Sequence, residues 1–221
     1  MVRPCLPSED QYGDDANLRA RQSIYAFQQP QVDLPRAVVD LARPVRRDVA
    51  LDVGCGNGAY LVELDRRGLG GTVLGLDLSV GMLRAAERVA SGAYVVAADA
   101  RAMPVRDRSV SLVIAAHMLY HVPDPAVAMS ELRRVIRSGG RALVVLNADD
   151  HLCELRLAVQ QARQELGLSE TAFGERLRLA QGQAMLSKEF GSVVRHEFKS
   201  QLVLYSPELL AEPSGLADLA V

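Results

Sequence analysis

The chain has 221 residues, 49% hydrophobic and 24% charged, with 25 Lys and Arg against 27 Asp and Glu for a net charge of -2. Such a chain can bury a core without disulfides or metals, and its near-neutral balance excludes the bulk positive field that would hold nucleic acid or an anionic membrane. Cys5, Cys55 and Cys153 are too few and too scattered for a disulfide framework or zinc cluster, and with no secretory signal in MVRPCLPSEDQYGDD and no membrane-spanning apolar run they point to the cytoplasm.

The first 30 residues are polar and contain Pro4, Pro7 and Pro30. Within them Asn17 to Phe27 reads as a short helix, with Asp14 and Asp15 placed to cap it. A second helix is predicted from about Leu34 to Ala42, ending before Pro44 because the residue preceding a proline disfavours helical geometry. From Asp48 the pattern changes. The apolar run DVALDV (48–53) stops at glycines, and an amphipathic stretch follows over 59–68. Three further apolar runs, TVLGLDL (72–78), YVVAADA (94–100) and SVSLVIAA (109–116), are interleaved with a helical SVGMLRAAERVA (79–90). A helix over 125–136 then leads into RALVVL (141–146).

Short apolar runs alternating with helical segments describe strands buried on both faces of a parallel sheet. The fold expected is α/β, doubly wound and Rossmann-like, with right-handed crossovers placing alternate helices on opposite faces. One domain is expected in three parts: an N-terminal helical lid (1–47), an α/β core (48–148) and a helical insertion with a last strand (149–221). In that last part Leu152 to Leu166 and about Ala172 to Phe190 have helical spacing. Residues 193–205 alternate well enough for a strand or a bent pair, and the tail SPELLAEPSGLADLAV is expected to fray.

The strongest chemical signal is Leu51-Asp52-Val53-Gly54-Cys55-Gly56-Asn57-Gly58. A strand ends, three glycines alternate and a helix begins. Glycine belongs where backbone takes positive φ or passes close to a ligand, and a helix start offers free N–H groups. Two ligand classes compete for such a loop. Gly54, Gly56 and Ala59 read as G-x-G-x-x-A, a dinucleotide fingerprint with Asp77 as the ribose acceptor. Asp52 argues against a pyrophosphate at the loop, and suits a cationic ammonium group instead. Cys55 has no partner base beside it and reads as a small buried residue.

The ordered set VALDVGCGNGAYL, GLDLS, AADARAMPV, LVIAAHMLYHVPDP and ELRRVIRSGGRALVV resembles the class I S-adenosylmethionine-dependent methyltransferases, in their small-molecule (type 11-like) branch, over about residues 48 to 146. The resemblance implies a cofactor, S-adenosylmethionine, leaving as S-adenosylhomocysteine after in-line methyl transfer to a small-molecule acceptor. It implies that Gly54, Gly56 and Gly58 let the loop pass under the cofactor. Asp52 would orient its amino-acid end, and Asn57 lies at the loop's turn. Asp77 would accept the ribose hydroxyls, and Leu78 and Met82 would pack on the adenine. Asp99 would take the adenine amino hydrogen, the Ala100 N–H a ring nitrogen, and Ala116 would offer backbone to the methionine end.

His117 and His121 are four residues apart and on a helix would share a face, but no third ligand joins them, so no metal is expected. The two histidines, with Tyr12 in the lid, are the candidate catalytic residues, a neutral imidazole being a suitable base for a hydroxyl or amine. Tyr25 lies in the same lid. In such folds the acceptor is gripped by the N-terminal helices and the insertion, here 10–35 and 150–190. The family sheet ends in an antiparallel hairpin, for which this chain has little sequence left. An edge left unpaired is expected to be covered by a two-fold dimer or by 193–205 folding back on themselves about Lys199 to Gln201. An inactive, cofactor-binding homologue acting as a partner protein is the alternative function. A nicotinamide-dependent oxidoreductase is the third reading. No nucleic acid or membrane partner is expected.

Overall fold

The computed structural model describes residues 15–167 and 177–203. The expectations for Tyr12, Asp14 and the tail beyond Val203 lie outside those residues. In chain order the elements are α1 (Ala16–Ser23), a 3-10 turn (Ile24–Phe27), β1 (Gln28–Gln29), α2 (Leu34–Ala42), β2 (Ala50–Val53), α3 (Ala59–Arg66), β3 (Val73–Asp77), α4 (Val80–Val89) and β4 (Tyr94–Ala97). They continue with β5 (Val110–Ala116), a 3-10 turn (Leu119–His121), α5 (Pro125–Val135), β6 (Ile136–Val145), α6 (Cys153–Glu165), α7 (Leu179–Glu189) and β7 (Gln201–Leu202).

Local chemistry explains where the helices begin. Asp33 accepts the Arg36 N–H at 3.1 Å at the head of α2, and Ser79 accepts the Met82 N–H at 3.2 Å at the head of α4. Asp124 accepts from the Ala126 and Val127 amides ahead of Pro125, which occupies the first turn of α5 where no N–H is needed. Asp15 makes no side-chain capping bond and pairs with Arg19 instead.

Strands β4-β3-β2-β5-β6 form one sheet in that order, every pair parallel. The order reverses at β2, so a crevice opens at the carboxyl ends of β2 and β5, the ligand position of open α/β sheets. The helices do not alternate faces one by one as the sequence reading expected. Helices α2, α3 and α4 pack with Ala50, Leu112 and Ile114 on one face. Helices α5 and α7 pack with Leu51, Val53, Val113 and Ala115 on the other. The reason is topological: right-handed crossovers stay on one face while the strands march one way, and change face when the order reverses.

Two further differences concern the C-terminal third. Strand β6 begins at Ile136 directly after α5, with an irregular register between Val110 and Leu112. Residues 193–200 form no strand, and the expected local hairpin is not present in 193–203. Instead β7 pairs antiparallel with β1, Gln28 opposite Leu202, so two residues of the late chain clamp the early chain. Among the described residues the main sheet ends at β6. No described helix is long and apolar enough to cross a membrane.

At the amino end of the sheet, Asp48 is only 1% exposed. One of its oxygens accepts from the Val45 N–H and from Arg141, at 2.9 and 2.7 Å, and the other from the Ser111 hydroxyl at 2.7 Å. Arg141 also donates to the Ala42 and Arg43 carbonyls. These bonds tie α2, β5 and β6 together near the amino end of β2.

Candidate functional site

The glycine loop turns from β2 into α3 at the crevice. Gly54 has φ +70°, and a Cβ there would lie 2.5 Å from Met118 Cβ, so only glycine fits between the loop and the end of β5. Its N–H and that of Cys55 both donate to the Leu76 carbonyl, stitching the loop to β3. Gly56 donates to Asp77 Oδ2 at 2.8 Å, while Asp77 Oδ1 accepts from the Ser79 N–H at 2.9 Å. Gly58, φ +88°, is the N-cap of α3 and packs against Ala86. Cys55 is buried, and burial pushes its thiol far above the usual range.

The three carboxylates of the predicted site differ in environment. Asp77 lines the crevice, and burial holds its carboxyl above the usual carboxylate range against the lowering effect of its backbone bonds. Asp52 does not line the crevice. It is 1% exposed beneath the loop, and neither carboxylate oxygen has a hydrogen-bond partner among the described residues. Burial, with the Asp77 charge nearby, pushes its pKa up to about 8. Asp99 lines the crevice but is already engaged. Arg101 holds it at 2.6 Å and keeps its carboxyl below the usual range.

Of the remaining predicted residues, Leu78 is 62% exposed and Met82 2% exposed; both lie along the crevice, as do Ala100 and Ala116. The Asn57 amide donates to Gln22 of α1 at 3.3 Å, and the nearest atom to a Cβ built on Gly56 is Leu18 Cδ2 at 3.5 Å. Helix α1 therefore lies against the glycine loop.

His117 and His121 do not share a helix face. The chain leaves β5 through His117 in a left-handed conformation, φ +55°, and His121 closes a 3-10 turn with its ring against Tyr120 at 4.5 Å. The 117 position is strained because its N–H must reach the Val145 carbonyl, 3.0 Å away, before the chain turns. The His117 ring bonds the Asn147 side chain, and burial reinforced by His151 pushes its pKa down to about 4. Among the described residues no three His, Cys, Asp or Glu side chains gather as a metal site would.

Beside Tyr25, already placed in the lid, the structure adds residues that sequence reasoning missed. His151, in the loop after β6, has Nε2 3.4 Å from the hydroxyl of Tyr25. His151, Tyr25, Asn147, Arg156 and Arg178 all line the same crevice as Asp77. Spacing gave no signal for this group, because its members come from three separate stretches of chain; the one available hint was a histidine just after the last core strand.

A family described as "Methyltransferase domain" matches residues 51–144, the segment that carries the loop, Asp77, Asp99 and the His117 turn. A demethylmenaquinone methyltransferase of Roseiflexus castenholzii is 40% identical over 106 residues, 47% of this chain and 44% of that protein. Another, of Staphylococcus aureus, is 37% identical over 123 residues, 53% and 50% of the two chains. The chain thus spans about half the length of these relatives. Among solved structures, a methyltransferase-like protein of Bacillus halodurans superposes with a TM-score of 0.57 at 21% identity, over 72% of this chain and 68% of that one, a likeness of fold. The matched residues 51–144 thus resemble a methyltransferase domain in sequence and lie within the Rossmann-like α/β fold described above.

Proposed function

We propose that the protein is an S-adenosylmethionine-dependent methyltransferase acting on a small-molecule acceptor by in-line transfer. The observation that carries this reading is the Asp77-anchored glycine loop at the strand switch point, inside the segment that matches a methyltransferase domain. The residues fit the group. The orphaned Asp52 carboxyl, which does not line the crevice and keeps its proton near neutral pH, would face a cationic amino-acid end only once ionised and through a bridging water. The Asp77 carboxylate, though it accepts from the Gly56, Leu78 and Ser79 amides, keeps a lone pair for a ribose hydroxyl. Bound there, the cofactor would supply a methyl group on a cationic sulfur.

On this reading Gly54, Gly56 and Gly58 let the main chain approach the ligand. The exposed Leu78 covers one adenine face, with Met82 behind it. Asp99, shared with Arg101, and the Ala100 N–H take the adenine edge, while Ala116 meets the methionine end. What the chain contributes to the chemistry is alignment and exclusion of water, since the leaving group is already good. Helix α1 against the loop fits the part of a lid. The two relatives above carry demethylmenaquinone in their names, which favours a quinol-like acceptor here too. A cytoplasmic setting and a two-fold dimer through the outer edge of β6 belong to the same proposal; light scattering at micromolar concentration reads the dimer.

Calorimetry with S-adenosylhomocysteine and, separately, NAD tests the donor: binding of the first and not the second is expected, and the reverse would overturn the reading. Release of S-adenosylhomocysteine over a panel of acceptors tests turnover. A protein that binds S-adenosylhomocysteine and turns over nothing would favour the inactive homologue.

A further inference from the structure

Tyr25 and His151 are 126 residues apart in the chain, yet their side chains meet at the crevice. Tyr25 follows α1 in a 3-10 turn, is 37% exposed and lines the crevice, with burial around its hydroxyl raising the pKa. His151 is half buried between β6 and α6. The Oη to Nε2 separation of 3.4 Å is at the long end for a hydrogen bond. Such a contact has room to tighten when a third group joins it.

The groups around His151 favour a neutral ring that can take up a proton. Burial lowers its pKa, and Arg156 of α6 and Arg178 before α7 act in the same direction, while Asp150 beside it acts in the opposite one. His117 is a poorer base, with its ring engaged by Asn147 and its pKa pushed down to about 4.

We propose that Tyr25 and His151 form the proton relay for the quinol-like methyl acceptor, with Tyr25 the catalytic residue that touches it and His151 the base behind. This rests on the donor reading above. In the step, the acceptor O–H bond breaks and its proton passes to Tyr25 Oη as the Tyr25 proton passes to His151 Nε2, leaving an imidazolium. The acceptor oxygen keeps the electron pair and bonds the methyl group with it, while the broken S–C pair stays on sulfur.

The acceptor class follows from what a relay can remove. Burial raises the Tyr25 pKa above the ordinary phenol value, so Tyr25 stays protonated. It hands its own proton on to His151 only as it takes one from the acceptor, and a phenol is the acceptor that has such a proton to lose before attack. An amine already presents a lone pair and needs no base before attack. Leu155, Leu177, Leu186 and Phe190 also line the crevice and give it apolar surface that suits an aromatic body.

The test uses 1,4-dihydroxynaphthalene under argon, with 2-naphthylamine as the amine control, and the full chain. Wild type is expected to methylate the hydroquinone and not the amine, kcat rising with pH through an inflection below about 6.5. His151→Gln is expected to lose about a hundredfold or more in kcat together with that inflection. Tyr25→Phe should lose kcat comparably. Both variants should bind S-adenosylhomocysteine within about twofold of wild type. Without any acceptor, ring-nitrogen NMR should show His151 titrating below about 6.5 and its Nε2 resonance moving in Tyr25→Phe.

Retention of kcat and pH profile in either variant would overturn the relay. So would transfer to the amine alone, or transfer to neither probe by a protein that binds S-adenosylhomocysteine. Wild type that does not bind S-adenosylhomocysteine would instead overturn the donor reading, and the relay with it.

Discussion

The backbone N–H of Gly56 donates to Asp77 Oδ2 across 2.8 Å, so the carboxylate at the end of β3 holds the glycine loop at the end of β2. Asp77 consequently has two duties, anchoring the loop and facing the crevice. Asp77→Ala should weaken S-adenosylhomocysteine binding by about 1.5–3 kcal/mol, since the bonds lost are to a charged group. That is roughly 10- to 150-fold in affinity. Calorimetry at neutral pH measures it, and unchanged affinity would limit Asp77 to loop geometry.

Gly54 and Gly139 have nearly the same backbone, φ +70° and +72°, but different surroundings. A Cβ at Gly54 would meet Met118 Cβ at 2.5 Å, whereas one at Gly139 meets nothing within 4 Å. Gly139→Ala should cost about 1–2 kcal/mol from the left-handed backbone alone. Gly54→Ala should add overpacking of about 1–3 kcal/mol to the same cost. Thermal or urea unfolding of the pair reads the difference; equal losses would mean that the Met118 side chain yields freely.

Arg141 neutralises a carboxylate that water does not reach. Burial alone would raise the Asp48 pKa, but Arg141, the Val45 N–H and the Ser111 hydroxyl together bring it below its ordinary value. A lowered acid contributes stability above its unfolded pKa of about 3.9 and loses it as pH falls through the folded value. Arg141→Met strands the Asp48 charge and should cost about 3–5 kcal/mol at neutral pH. The loss should shrink in acid, where Asp48 is protonated. A constant loss from pH 4 to 8 in urea titrations would contradict this.

Asp52 works in the opposite sense. Its pKa of about 8 in the fold lies above the unfolded value. Between about pH 4 and 8 the unfolded chain releases a proton that the folded protein retains, so this residue makes stability fall as pH rises, by up to about 1.4 kcal/mol per pH unit. Asp52→Asn should flatten the stability profile over that window. Parallel profiles for the two proteins would show that Asp52 ionises normally in the fold.

Much of the core was legible in the sequence. The runs 72–78 and 109–116 became β3 and β5 because branched apolar residues bounded by turn residues have one low-energy use when both faces are buried. The C-terminal end of α2 was readable from Pro44. Segment 193–205 misled because its alternation is a local property, whereas β7 finds its partner at Gln28–Gln29, a distant stretch with no apolar pattern.

The sequence by itself determined the strand and helix alternation, the glycine loop and the acid at the end of β3. Each depends on backbone conformations and neighbours within a few residues, which composition and spacing encode directly. Only the tertiary structure decided that Asp52 is sealed under the loop, that Arg101 occupies Asp99, that His117 and His121 part company, and that Tyr25 reaches His151. Those outcomes depend on where the crossovers and the β1–β7 clamp bring remote segments together. Burial and charge at one site are set by side chains far away in the chain, and no local period records them.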